Sequence, residues 1–270
     1  MNKYKYWWIC LILLVAGCNN VSIRDHSSSN EPPGVIESGS GNLYFVSLFG
    51  EKYLTQGGFL KGSGDYIETN LWSYTSLSRL LVVEGHYLNG LQTGNWNFIL
   101  NNGTVASSKW EVYNNGVTPC SFSIPLKYEE LNVDSFSLKL RSITDTLGKI
   151  GIQVQIRDTF LNEEGSAKIG LRSDTELHEQ GYTFTNKKRE IEKDKNKYHF
   201  YEYFLKDSTN KESRVYYFFG NTPNKKHFVL FTLFHQGPRE DLVQIICSLI
   251  AESLYINSER FYYPYEFSKE

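Results

Sequence analysis

Six histidines, His26, His86, His178, His199, His227 and His235, are the side chains of this chain best suited to proton transfer near neutral pH or to holding a metal. Their spacing favours neither. None stands in an H-E-x-x-H pair and no Cys/His group has metal-ligand spacing, so no metal is implied. His227 and His235 share a face of one expected strand, but at about 3.3 Å per residue they stand too far apart for joint coordination. The acidic pairs Glu129-Glu130 and Glu163-Glu164 lie in polar surroundings and are expected to be solvated. A glycosidase pair would come from separate strands, and the sequence leaves that open. There is no G-x-S-x-G elbow and no glycine loop that cradles phosphate at a helix start; "NGLQTG" is glycine spacing for turns. The chain is therefore expected not to be an enzyme, with no catalytic residue and no cofactor.

The thiols carry more information. Lys3 and Lys5 precede an apolar stretch from about Trp7 to Gly17, roughly eleven residues against the roughly twenty of a spanning helix, which is the form of an export signal. At its end, Leu14-Val15-Ala16-Gly17-Cys18 resembles the lipobox of bacterial lipoproteins. That resemblance implies cleavage after residue 17, a signal peptide over 1–17, and a diacylglycerol on the Cys18 sulfur whose acyl chains hold the protein at a membrane. Asn19 rather than Asp follows the cysteine, which favours the outer membrane and leaves the membrane face, periplasmic or surface, open. Cys10 leaves with the leader. Cys120 and Cys247 remain: an oxidising envelope permits a disulfide, and a buried free thiol beside an apolar helix stripe suits Cys247 equally well.

Residues 18–40, with "HSSSNEPPG" and "ESGSGN", are too polar to offset the loss of chain entropy and read as a flexible tether. Beyond it, the 270-residue composition is globular, with 40% hydrophobic and 15% aromatic residues. Its 28 basic and 30 acidic residues nearly cancel, so there is no field to gather nucleic acid. Lys187-Lys188-Arg189 in "KKREIEKDKNK" is interleaved with acids and reads as a solvated loop or short helix.

The region 41–145 consists of short aromatic strands and glycine turns. In "EGHYLNGLQTGNWNFILNNG", Asn89-Gly90 is a hairpin signal because both residues tolerate positive φ, and Gly94 is expected to make a further turn beside Trp96. The residues Glu84, Gly85, Tyr87, Asn89, Gly90, Gly94 and Trp96 resemble the MORN repeat, particularly its antitoxin-like bacterial variants. Degenerate relatives are "GGFLKGSGDYIE" and "SKWEVYNNGVTP". The resemblance implies a β-hairpin scaffold for contacts, in which Tyr87, Trp96 and Trp110 are either core or the binding surface.

A boundary is expected between Thr144 and Lys149, with a second unit over 150–270. "NEEGSAKIGLRSDTELHEQ" reads as polar and irregular. "KYHFYEYFL", "RVYYFFG" and "KHFVLFTLFH" read as an antiparallel meander whose third strand is the most buried. Pro238, Glu240 and Asp241 start a helix carrying the stripe Leu242, Ile245, Ile246, Leu249 and Ile250, expected to cover one face of that sheet. This element order resembles the α+β fold of the PsbP and Mog1 type, whose members are commonly accessory or binding proteins. The expected class is thus α+β, mostly antiparallel β, with an N-terminal β-meander and a C-terminal sheet covered by one long helix. The expected function is a non-enzymatic lipoprotein of the outer membrane that binds a protein or envelope polymer, with toxin immunity as its specialised form. An envelope hydrolase is the alternative.

Overall fold

The computed structural model describes residues 43–61, 66–77, 81–125, 128–144, 148–193, 196–206, 212–237 and 240–267. Cys18, the leader and the tether lie outside the described residues. The first eight strands are β1 (Leu43–Val46), β2 (Lys52–Lys61), β3 (Tyr66–Ser76), β4 (Val82–Leu88), β5 (Leu91–Ile99), β6 (Val105–Tyr113), β7 (Cys120–Pro125) and β8 (Tyr128–Val133). Then come β9 (Ser137–Thr144), β10 (Gly148–Arg157), helix α1 (Glu163–Glu179), β11 (Thr183–Lys193), β12 (Asn196–Lys206), β13 (Glu212–Asn221) and β14 (Phe228–Gln236). Helix α2 (Glu240–Glu252) leads into β15 (Tyr255–Ile256), β16 (Glu259–Arg260) and β17 (Tyr265–Phe267).

These strands form two antiparallel sheets, one in the order β16-β15-β7-β6-β5-β4-β3-β2-β1-β17 and one in the order β11-β12-β13-β14-β10-β9-β8. The chain therefore crosses between sheets twice. The boundary expected between Thr144 and Lys149 falls in the connection of a paired hairpin, since Gly148 lies opposite Thr144.

The ten-stranded sheet is strongly curled. Nine strand spacings at about 4.8 Å would set β16 and β17 about 43 Å apart in a flat sheet. Yet only residues 261–264 join them, and five Cα steps reach at most about 18 Å. The same curl brings Arg260 of β16 against Glu68 of β3, at 2.9 and 2.5 Å.

Inside the curl lies α2. Every residue from Leu242 to Leu254 is buried. Leu48 N, in the turn after β1, donates to Ser248 Oγ, Gln92 Nε2 donates to the Leu249 carbonyl, and Ser123 N donates to Ser253 Oγ just past the helix, so the first sheet and its turn hold the helix by hydrogen bonds. Its other side meets the seven-stranded sheet, whose Val229, Phe231 and Leu233 share the same core. This corrects the expected class. Among the described residues the fold is β-rich, two antiparallel sheets with two short helices, rather than α+β with one long helix covering a sheet. The physical reason is that Val243, Cys247 and Ala251 widen the stripe, and the polar positions left over, Gln244, Ser248 and Glu252, are themselves buried, so the helix has no wet back.

Three local readings also change. "NEEGSAKIGLRSDTELHEQ" forms α1, started by Asn162, whose side chain accepts from Gly165 N at 2.9 Å, and seated by Ile169 and Leu177 on the outer face of the seven-stranded sheet. "KKREIEK" ends edge strand β11 instead of forming a loop or helix; Lys188 lies over the Tyr201 ring and Arg189 donates to Ser47 O. Finally, Gly94 has φ 69° inside β5 and is not a turn. The reversal is made by Asn89 and Gly90, at φ 53° and 78°, between the paired residues Leu88 and Leu91.

Candidate functional site

Trp96 is fully buried, Trp110 is 1% exposed and Tyr87 is 3% exposed. The structure thus places these three candidate contact residues in the core, where none presents a surface to a partner. Trp96 packs between Tyr87 and Trp110, with ring centroids at 5.3 and 5.6 Å. Its indole lies over Gly85, where an added Cβ would fall inside the ring, and Trp72 lies over Gly57 in the same way. Both glycines sit at shifts of strand register, so the two hairpins repeat one Gly–Trp arrangement.

Tyr87 belongs to the most concentrated polar group of the core. Glu252, at the end of α2, is fully buried; its Oε1 lies 2.7 Å from Tyr265 OH and its Oε2 lies 2.8 Å from Tyr87 OH. Tyr74 OH lies 2.6 Å from Tyr87 OH and 2.9 Å from Tyr265 OH. Gln92 Nε2 donates to Glu252 Oε2 and to Tyr87 OH, at 3.0 and 2.9 Å. Burial pushes the Glu252 carboxyl up to about 8, reinforced by the negative charge of Glu68 and opposed by Arg260. Burial, with Glu252 nearby, raises the Tyr74, Tyr87 and Tyr265 hydroxyls as well.

Beside this group runs a buried ion pair. The Arg260 guanidinium grips both oxygens of fully buried Glu68 and also touches Tyr255 OH. Burial alone would lower the Arg260 group, but the Glu68 carboxylate carries it well above its ordinary value.

Elsewhere, His227 Nδ1 meets Asp158 Oδ1 at 2.9 Å, and its Nε2 meets Asn257 Nδ2 at 3.0 Å. The carboxylate sets the tautomer and the amide occupies the second nitrogen, so this imidazole is held at both ends. His235 is buried on β14. Glu129 pairs with Arg141 at the surface, while Glu130 accepts from Tyr113 OH. Cys120 and Cys247 are free thiols, with burial pushing Cys120 up to about 12 and Cys247 higher still. Among the described residues no group of three or more His, Cys, Asp or Glu is placed to hold a metal. Nor is any described helix long and apolar enough to cross a membrane.

The outward face of the curled sheet differs in kind from its core. Pairing runs Tyr44–Leu54–Thr75–Val82–Ile99–Val105 across six strands, a row about 24 Å long. Five of these residues are half-buried and Val105 is 55% exposed. The adjacent row, Gln56–Ser73–Glu84–Asn97–Ser107, is polar.

Part of the chain is similar in fold to solved structures of the PsbP and Mog1 type. A cyanobacterial PsbP from Synechocystis aligns with 15% identity and a TM-score of 0.41, over 54% of this chain and 92% of that one. The Ran-binding protein Mog1p of Saccharomyces cerevisiae aligns with 8% identity and a TM-score of 0.39, over 56% of this chain and 95% of that one. The sequence matches no family model and no curated protein.

Sequence reasoning passed over Glu68, Tyr74, Gln92, Glu252, Arg260 and Tyr265. A signal exists for two of them. Gln92 is in phase with inward Trp96 and Phe98, and Glu68 is in phase with inward Trp72 and Tyr74, so each is a polar residue at a core position.

Proposed function

We propose that this chain is an exported binding protein, lipid-anchored through Cys18 at the outer membrane, that engages a protein or envelope polymer with the outward face of its ten-stranded sheet. Toxin immunity is the specialised form to which the resemblance of the Asn89-Gly90 hairpin points. The observation that carries the binding reading is the cross-strand row from Tyr44 to Val105, an apolar band on a sheet face that no described helix covers. Catalysis has less to work with, because the polar groups richest in hydrogen bonds are buried and the His227 nitrogens are both engaged.

A photo-crosslinking residue at Ile99, compared with one at exposed Glu176 on α1, tests this in intact cells. A discrete adduct at position 99 and none at 176 supports the reading. Absence of an adduct at both Ile99 and Val105, or turnover of glycan or peptide by the pure protein, replaces it. Cys18→Ala is expected to abolish lipid labelling and leave the precursor uncut.

A further inference from the structure

The Glu252 group can be read by counting protons. Four oxygen–oxygen contacts close a ring: Glu252 Oε1 to Tyr265, Tyr265 to Tyr74, Tyr74 to Tyr87, and Tyr87 to Glu252 Oε2, at 2.7, 2.9, 2.6 and 2.8 Å. Each contact at that distance needs one proton between its oxygens. The three hydroxyls bring three. An ionised Glu252 leaves one contact as two facing lone pairs inside a fully buried site, whereas a carboxylic acid supplies the fourth proton.

Charge counting agrees. The groups facing the ring are Glu68 on β3, Arg260 on β16, Tyr255 on β15 and Tyr262 before β17. Arg260 is already neutralised by its two bonds to Glu68, so an ionised Glu252 would leave a net negative charge in the core. Gln92 completes the assignment: its amide donates to Oε2, which leaves Oε1 to carry the proton. The bonds then run from Oε1 to Tyr265, Tyr74 and Tyr87 and back to Oε2.

We propose that Glu252 is a neutral carboxylic acid in the folded protein and that its proton closes this ring, latching α2, β3, β4 and β17 together through one titratable site. Raising the pH removes that proton to solvent and opens the latch. The direction of the Glu252 shift, from an ordinary 4.5 up to about 8, gives the sign. The folded state holds a proton that the unfolded state has lost, so the contribution is full below pH 4.5 and is lost as the pH rises through about 8.

The test compares the full chain in detergent with Glu252→Gln, by denaturation from pH 5 to 9. The glutamine amide reproduces the donor at Oε1 and the acceptor at Oε2 but does not titrate. The folding equilibrium constant of the parent is expected to fall relative to the variant by on the order of a thousandfold across that window. A ratio independent of pH, or one that favours the parent at high pH, overturns the proposal. Infrared spectroscopy supplies a second readout: a protonated carboxyl band is expected in the parent at pH 7 and absent from Glu252→Gln. Tyr74→Phe removes two contacts and one proton, which satisfies a carboxylate, so its band should vanish at lower pH than in the parent. If Glu252→Gln does not fold, the comparison with Tyr74→Phe decides; no band in the parent at pH 7, or an unmoved midpoint, overturns the proposal.

Discussion

The two described helices are surrounded in opposite ways. α2 is enclosed between sheets, and its polar side chains Ser248 and Glu252 are each met by groups of the first sheet. α1 lies on the outer face of the seven-stranded sheet, carries its own cap at Asn162, and bears the exposed i,i+4 pairs Glu164–Lys168 and Arg172–Glu176. A helix held by its own sequence keeps much of its stability in local terms. A helix buried on every side, its polar positions included, depends instead on the sheets that wrap it.

That contrast can be broken by mutation. Leu249→Ala, in the middle of α2, is expected to lower stability by about 2–5 kcal/mol, measured by urea denaturation. A loss below about 1 kcal/mol would show that α2 is not the centre of the core. Gly85→Ala acts on the wrapping sheet by forcing Trp96 off its seat, with an expected loss of about 1–3 kcal/mol and a change in tryptophan fluorescence. Unchanged emission would mean that the Gly–Trp arrangement is not tight. On the surface helix, Asn162→Ala removes the cap and is expected to lose about 1 kcal/mol, with exchange protection reduced in the first turn of α1 alone. Smallest is Lys168→Ala, which breaks an ion pair whose partners are both more than two-thirds exposed. It should move the urea midpoint within error; a clear shift would mean that α1 relies on its charges.

Much of this architecture was legible where local chemistry and tertiary structure agree. The Asn89-Gly90 hairpin needs two positive φ angles and has residues that accept them. The strands β12, β13 and β14 alternate aromatics strongly enough to mark a meander, and β14, paired on both sides, carries core residues on both faces. α1 escaped because Ile169 and Leu177 are spaced by two helical turns of mostly polar residues, so its signal lies in a cap and ion pairs instead of a stripe. β11 escaped because its basic residues describe an edge, where charge deters further pairing, and not a loop. The Glu252 group was hidden for a different reason. Its members are distant in sequence, with Tyr74 and Tyr265 separated by 191 residues, and only the curl of the sheet brings them together.

The short segment after α2 has a bearing on the order in which the molecule can be completed. Tyr255–Ile256 pairs with β7 near one border of the ten-stranded sheet, and Tyr265–Phe267 pairs with β1 at the other. Until residues 255–256 are available both borders offer bare backbone donors and acceptors, and until residue 267 is available the β1 border stays bare and the enclosure around α2 has no closing strap. A chain made from its N-terminus can cover the β7 border first and the β1 border only afterwards. Completion of the large sheet waits on the last strand to arrive, so the period before that arrival is the one in which a holding chaperone has the most to protect.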